Sequence, residues 1–105
     1  MRKKKFDGDV YIGEGKRLIV KVTKVIKDEN FPEGIEFSLQ YIYHKNNEWH
    51  QIVRIDNLFH EGRPGTHIHI LKRKKVEWIN LSFSEAKKRI IELGDNIIKN
   101  IIERL

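Results

Sequence analysis

The stretch from Ile35 to Ile55 constrains the fold more than any other part of this chain. Ile35, Phe37, Leu39, Tyr41 and Tyr43 alternate with Glu36, Ser38, Gln40 and His44. A period of two is the signature of a strand with one apolar and one polar face. Asn46-Asn47 follows, a pair suited to the positive φ angles of a two-residue hairpin turn. Trp49 to Ile55 then alternates again. Trp49, Gln51, Val53 and Ile55 are expected on one face, with His50, Ile52, Arg54 and Asp56 on the other. A hairpin with one apolar face has to bury that face against a second layer.

The rest of the chain supplies the other strands and the layer. Asp9–Ile12 and Leu18–Lys27 read as strands around a Gly13-Glu14-Gly15-Lys16 turn, and Pro32 and Gly34 mark a loop. Thr66–Leu71 and Val76–Leu81 read as further strands joined by Lys72-Arg73-Lys74-Lys75. Ser82 and Glu85 form an S-x-x-E capping box at the start of a helix. Ala86, Ile90, Leu93, Ile97, Ile101 and Leu105 recur every three or four residues, and Ile91, Ile98 and Ile102 widen the stripe. So wide an apolar face fits a helix pressed on a sheet, with part of it available to a dimer contact. Gly94 in its middle costs about 1 kcal/mol relative to alanine. The expected architecture is α+β: a twisted antiparallel meander of five or six strands with one C-terminal helix packed on one face. The helix is expected over Phe37, Leu39, Tyr41, Val53, Ile68 and Ile70. Gln40, Arg54, Asp56, His67 and His69 are expected on the opposite face.

At 105 residues the chain is read as one domain. A chain of this length buries about 65% of its unfolded surface, enough for a core without staples. It has no cysteine, which excludes disulfides and thiolate chemistry and fits a reducing cytoplasm. No apolar run reaches the roughly 18 residues that span a bilayer. Arg2 to Lys5 are not followed by an apolar core, so no export signal and no membrane partner are expected. The bias toward Lys, Glu and Ile is of the kind reported for hyperthermophile proteins. Formal charge is +6, with four of the cations at Arg2 to Lys5. Residues 1–8 read as a basic, flexible tail that would favour an anionic partner such as nucleic acid.

Chemistry concentrates between Arg54 and His69, R-I-D-N-L-F-H-E-G-R-P-G-T-H-I-H, where three of the five histidines lie. His67 and His69 are two apart, so a strand aims both at one face while Ile68 and Ile70 take the other. Three readings are open. In the first, the cluster cleaves RNA without a cofactor. RNA carries its own nucleophile, and an enzyme needs a base for the 2′-OH, an acid for the leaving oxygen and a cation for the phosphate. His67 and His69 could be base and acid, with His60 as an alternative on the loop. Arg54 and Arg63 could grip the phosphate, and Asp56 could orient a histidine. Asn57 and Lys72, Arg73, Lys74 and Lys75 would add substrate contacts. In the second reading, His67 and His69 ligate zinc or another divalent metal with His60 or Asp56 as third ligand. In the third, the histidines are surface residues, and Asp56-Asn57 caps its loop by bonding its own backbone. His44 and His50 read as surface residues. Trp49, Trp78, Tyr41 and Tyr43 read as core or edge packing rather than base-stacking platforms.

The order R-I-D-N at 54–57, histidine at 60 and H-I-H at 67–69 resembles the TumE-like toxins of prokaryotic toxin–antitoxin pairs. The likeness covers residues 35 to 100. It places Arg54, Asp56, Asn57, His60, His67 and His69 at the motif positions, with Glu61 where that family often has a second histidine. The resemblance implies a toxin acting on RNA and held in check by a cognate antitoxin protein. The runner-up is a non-catalytic module that binds nucleic acid or protein.

Overall fold

Strand alternation and hairpin chemistry together produce one open sheet. The computed structural model describes residues 4–58, 65–70 and 76–101, with the backbone alone at 4–6 and 101. Its strands are β1 (Lys4–Gly13), β2 (Lys16–Lys24), β3 (Ile35–Lys45), β4 (Glu48–Asp56), β5 (His67–Ile70) and β6 (Val76–Trp78), followed by helix α1 (Phe83–Ile101). The strands lie in chain order and every neighbouring pair is antiparallel. This is the α+β meander with a single C-terminal helix that the sequence predicts. No helix among the described residues is long and apolar enough to cross a membrane.

The turns follow from backbone chemistry. Asn46 and Asn47 both take positive φ, 56° and 64°, the requirement of a turn whose twist matches that of the flanking strands. The β2–β3 loop closes on itself. Asp28 accepts hydrogen bonds from the backbone of Asn30 and Phe31, and Val25 donates to Gly34. That closure ends β2 at Lys24 rather than at Lys27. At the other end β1 begins at Lys4, and Lys4 to Gly8 pair with Lys24 to Val20 of β2. The residues expected in a flexible tail therefore belong to the sheet from position 4 onward. Beyond Trp78 the chain leaves the ladder, so β6 stops short of Leu81. Ile79 donates to the Thr66 carbonyl, and the Thr66 hydroxyl donates to the Leu81 carbonyl.

One irregularity re-aims half of β4. Tyr41 pairs with Val53, but Ile42 pairs with Gln51, so Ile52 is an extra residue in the ladder. A bulge of this kind breaks the alternation along its strand. Val53 and Ile55 stay under the helix beside Tyr41 and Leu39, as expected. Upstream of the bulge the faces are exchanged. His50 pairs with Tyr43 on the helix side, whereas Trp49 pairs with His44 and Gln51 with Ile42 on the open side. Ile52 and Val53 are both fully buried, which uniform alternation does not allow. His50 is half-buried, not a surface residue, and its Nε2 lacks a hydrogen-bond partner.

Helix α1 crosses β3 and β4. Its Ala86, Ile90 and Ile98 are buried with Leu18, Val20, Phe37, Leu39, Tyr41, Val53, Ile55 and Ile68. Each large aliphatic side chain removed from water here contributes roughly 1.5–3 kcal/mol. The capping box forms as the sequence predicts: the Glu85 backbone N–H donates to Ser82 Oγ at 3.1 Å, and the Ser82 N–H donates to Glu85 Oε1 at 2.9 Å. Those bonds hold the Glu85 carboxyl below its ordinary range. Glu33 of the β2–β3 loop adds a further cap, accepting from the Phe83 N–H at 2.8 Å. Gly94 faces Tyr41 so closely that a β-carbon there would overlap the phenol ring. Beside it, the Tyr41 hydroxyl donates to Asp95 Oδ1 at 2.5 Å, and Lys16 Nζ meets the same oxygen at 3.2 Å. Ile102 and Leu105 lie outside the described residues.

Candidate functional site

Two cross-strand pairs build the site on the face away from the helix. Antiparallel pairing of β4 with β5 sets Asp56 opposite His67 and Arg54 opposite His69. Ile55 and Ile68, between them in sequence, form the matching pair beneath the helix. The H-x-H spacing thus does what strand parity requires: both imidazoles leave the sheet on one side, next to Arg54 and Asp56.

The inner pair is buried. Asp56 and His67 each retain 1% of their exposure. His67 Nε2 lies 3.0 Å from Asp56 Oδ1, and its Nδ1 lies 3.3 Å from the Gly65 carbonyl. Both ring nitrogens thus face oxygen acceptors, an arrangement that a ring carrying two N–H groups satisfies in full. The ring packs between those of His69 and Trp78, with centroids 4.8 Å away in each case. Asp56 Oδ1 also accepts from the Leu58 N–H at 3.1 Å, the loop cap expected of Asp56-Asn57, although His67 is not the surface residue of that third reading. Its other oxygen meets Arg54 Nε at 2.9 Å as an ion pair without the alignment of a hydrogen bond. A buried carboxylate costs several kcal/mol unless partners surround it, and here each oxygen has one.

The outer pair is open to solvent. Arg54 is partly exposed and His69 is half-buried. The distance from Arg54 Nη2 to His69 Nε2 is 3.2 Å. A guanidinium can only donate, so His69 Nε2 accepts and carries its lone pair toward Arg54. Arg54 therefore links the two halves of the site, touching Asp56 through Nε and His69 through Nη2.

Of the sequence-predicted residues, the structure brings together Arg54, Asp56, His67 and His69. Asn57 is near in sequence but turned elsewhere. Its Oδ1 accepts from the Phe37 N–H at 2.8 Å and its Nδ2 donates to the Ile35 carbonyl at 2.9 Å. Both ends of the amide are bound to β3, so Asn57 anchors a strand end and offers nothing to a substrate. His60, Arg63 and Lys72, Arg73, Lys74 and Lys75 lie outside the described residues. Trp78 is the contributor that sequence reasoning missed; its position opposite His67 in the ladder depends on a register that no local pattern reveals.

Asp56, His67 and His69 also bring potential metal-ligand atoms within 4.8 Å of one another. One carboxylate and two imidazoles form a donor set suited to zinc. The Arg54 guanidinium, however, sits against both His69 Nε2 and Asp56 Oδ2. A divalent cation would have to displace a positive charge already bound to the same lone pairs. These residues therefore fit a metal poorly while Arg54 stays in place.

No protein family, curated protein or solved structure matches the chain, so the likeness to the TumE-like toxins stands on the motif residues alone.

Proposed function

We propose that the protein is the toxin of a toxin–antitoxin pair and cleaves RNA in the cytoplasm without a metal. The observation that carries this reading is the outer pair: a solvent-facing arginine holds the lone pair of a neighbouring imidazole. A phosphodiester arriving at Arg54 competes for the guanidinium donors, since a phosphate is the stronger acceptor. Arg54 then turns its fork to the phosphate and releases His69 Nε2. The freed nitrogen takes the proton of the adjacent 2′-OH as that oxygen attacks phosphorus. The bond to the 5′ oxygen breaks, leaving a 2′,3′-cyclic phosphate and a 5′-hydroxyl. His60 is the sequence candidate for the acid that protonates the leaving oxygen. His67 and Asp56 are positioning residues, because both are buried and engaged: they fix the His69 ring from below and Arg54 from the side. The motif likeness supports the toxin role and an antitoxin protein as partner.

Purified protein should cleave single-stranded RNA in EDTA, and His69→Ala should lower the rate roughly 10²- to 10⁴-fold. RNA left intact at every pH from about 5 to 9, across which imidazole changes charge, would refute the enzyme reading. Activity abolished by EDTA and restored by zinc would move the assignment to a metal site at Asp56, His67 and His69. A non-catalytic binding module is the second reading. It is favoured by the burial and mutual satisfaction of Asp56 and His67, which a purely structural staple would also show.

A further inference from the structure

The open face of the sheet carries more than the outer pair. The Ile52 bulge turns Trp49 onto this face, where it is 51% exposed and packs against the His44 ring at a centroid distance of 4.9 Å. The neighbouring row runs Tyr11, Arg17, Ile42, Gln51 across β1 to β4. Tyr11 is 65% exposed, and the Arg17 guanidinium lies 5.6 Å from its ring centroid. The next row contains Ile19, Gln40, Arg54 and His69. From Trp49 to Arg54 is five residues of β4, roughly 15 Å along the strand. Two exposed aromatic stations thus share one face of the sheet with a candidate phosphate-binding arginine, on a chain of net charge +6. Each ring has a cationic or imidazole neighbour, an arrangement that suits a nucleic acid.

We infer that this face is a binding platform for single-stranded RNA, in which unpaired bases stack on Trp49–His44 and on Tyr11–Arg17 and lead the backbone to Arg54 and His69. The inference rests on the ribonuclease reading for the direction of the strand, and it names the substrate class: RNA with unpaired bases. Stacking is tolerant of sequence because every base has a π-face, and it excludes a duplex, whose faces are already stacked. Acidic residues on the same face, Asp7, Asp9 and Glu36, lie toward β1 and the Ile35 end of β3. Asp9 pairs loosely with Arg17 at 3.9 Å. They leave the end of the sheet that holds Tyr11, Arg17, Gln51 and Trp49 as the favourable entry, with the path continuing over β3 and β4 to Arg54.

The test uses a short fluorescent 2′-O-methyl RNA strand, which lacks the nucleophile and so reports binding without cleavage. Trp49→Ala and Tyr11→Ala should each weaken its binding about 5- to 150-fold, with Trp49→Phe retaining most of the affinity. The same strand in a duplex should bind more weakly, and Lys99→Ala on the solvent side of α1 should bind as wild type. Binding should weaken as salt rises. Equal affinity of Trp49→Ala and wild type, equal affinity for strand and duplex, or no binding of the strand would each overturn the platform. Platform binding without cleavage of unmodified RNA would refute the ribonuclease alone. Cleavage with binding indifferent to Trp49 and Tyr11 would refute the platform alone.

Discussion

Asn57 commits both ends of its amide to β3, and its backbone N–H donates to Phe37 as well. Asn57→Ala would leave the buried Phe37 N–H and the Ile35 carbonyl without side-chain partners. Each such group costs about 1–3 kcal/mol, so the variant should lose roughly 2–6 kcal/mol in a urea titration while its folded fraction still cleaves RNA. Unchanged stability with lost RNA binding would return Asn57 to the substrate. Residues of the site differ in how far they could be read in advance. The common face of His67 and His69 follows from parity on one strand and was legible. That Asp56 orients a histidine was also read; that it meets His67 rather than His69 was not, because this depends on how β5 registers against β4 across a ten-residue connection (residues 57–66). Asn57 shows the same gap from the other side: its type suggests recognition, and only its neighbours in space reveal an anchor.

Elements carry their own constraints. Gly94 reads as a weak point in α1, since alanine would add about 1 kcal/mol of helix propensity. The Tyr41 ring reverses that expectation, because a β-carbon would overlap it. Overpacking of this kind costs typically 1–3 kcal/mol or more. Gly94→Ala should therefore melt lower than wild type by thermal unfolding; a higher melting temperature would mean that the helix can lift from β3 without loss. The capping box was legible because S-x-x-E is a local pattern, and so was the Asn46-Asn47 turn. The bulge at Ile52 was not, since Trp49 to Ile55 satisfies an alternating pattern without it. Register with β3 alone reveals that Trp49 and Val53 face opposite ways.

For the molecule as a whole, the contact of Tyr41, Asp95 and Lys16 joins sheet, helix and the start of β2. Burial and then the Asp95 carboxylate raise the Tyr41 phenol well above its ordinary value of 10. With the folded value raised, the stabilisation is fully present below pH 10. Above that the unfolded phenol ionises first, and stability falls by about 1.4 kcal/mol per pH unit for this one proton. Tyr41→Phe should show a shallower alkaline decline in a urea titration repeated from pH 9 to about 12; an identical slope would place the alkaline limit elsewhere. The strand order has a different consequence, for the growing chain. Every strand pairs with its predecessor, so each closure spans one hairpin and loses little chain entropy. Synthesis from the N-terminus can thus lay down β1 to β4 as soon as they emerge. The face bearing Leu18, Val20, Leu39 and Tyr41 nevertheless stays wet until α1, which follows all six strands, arrives to cover it. Until then the nascent sheet presents its future interior to whatever else is in the cell.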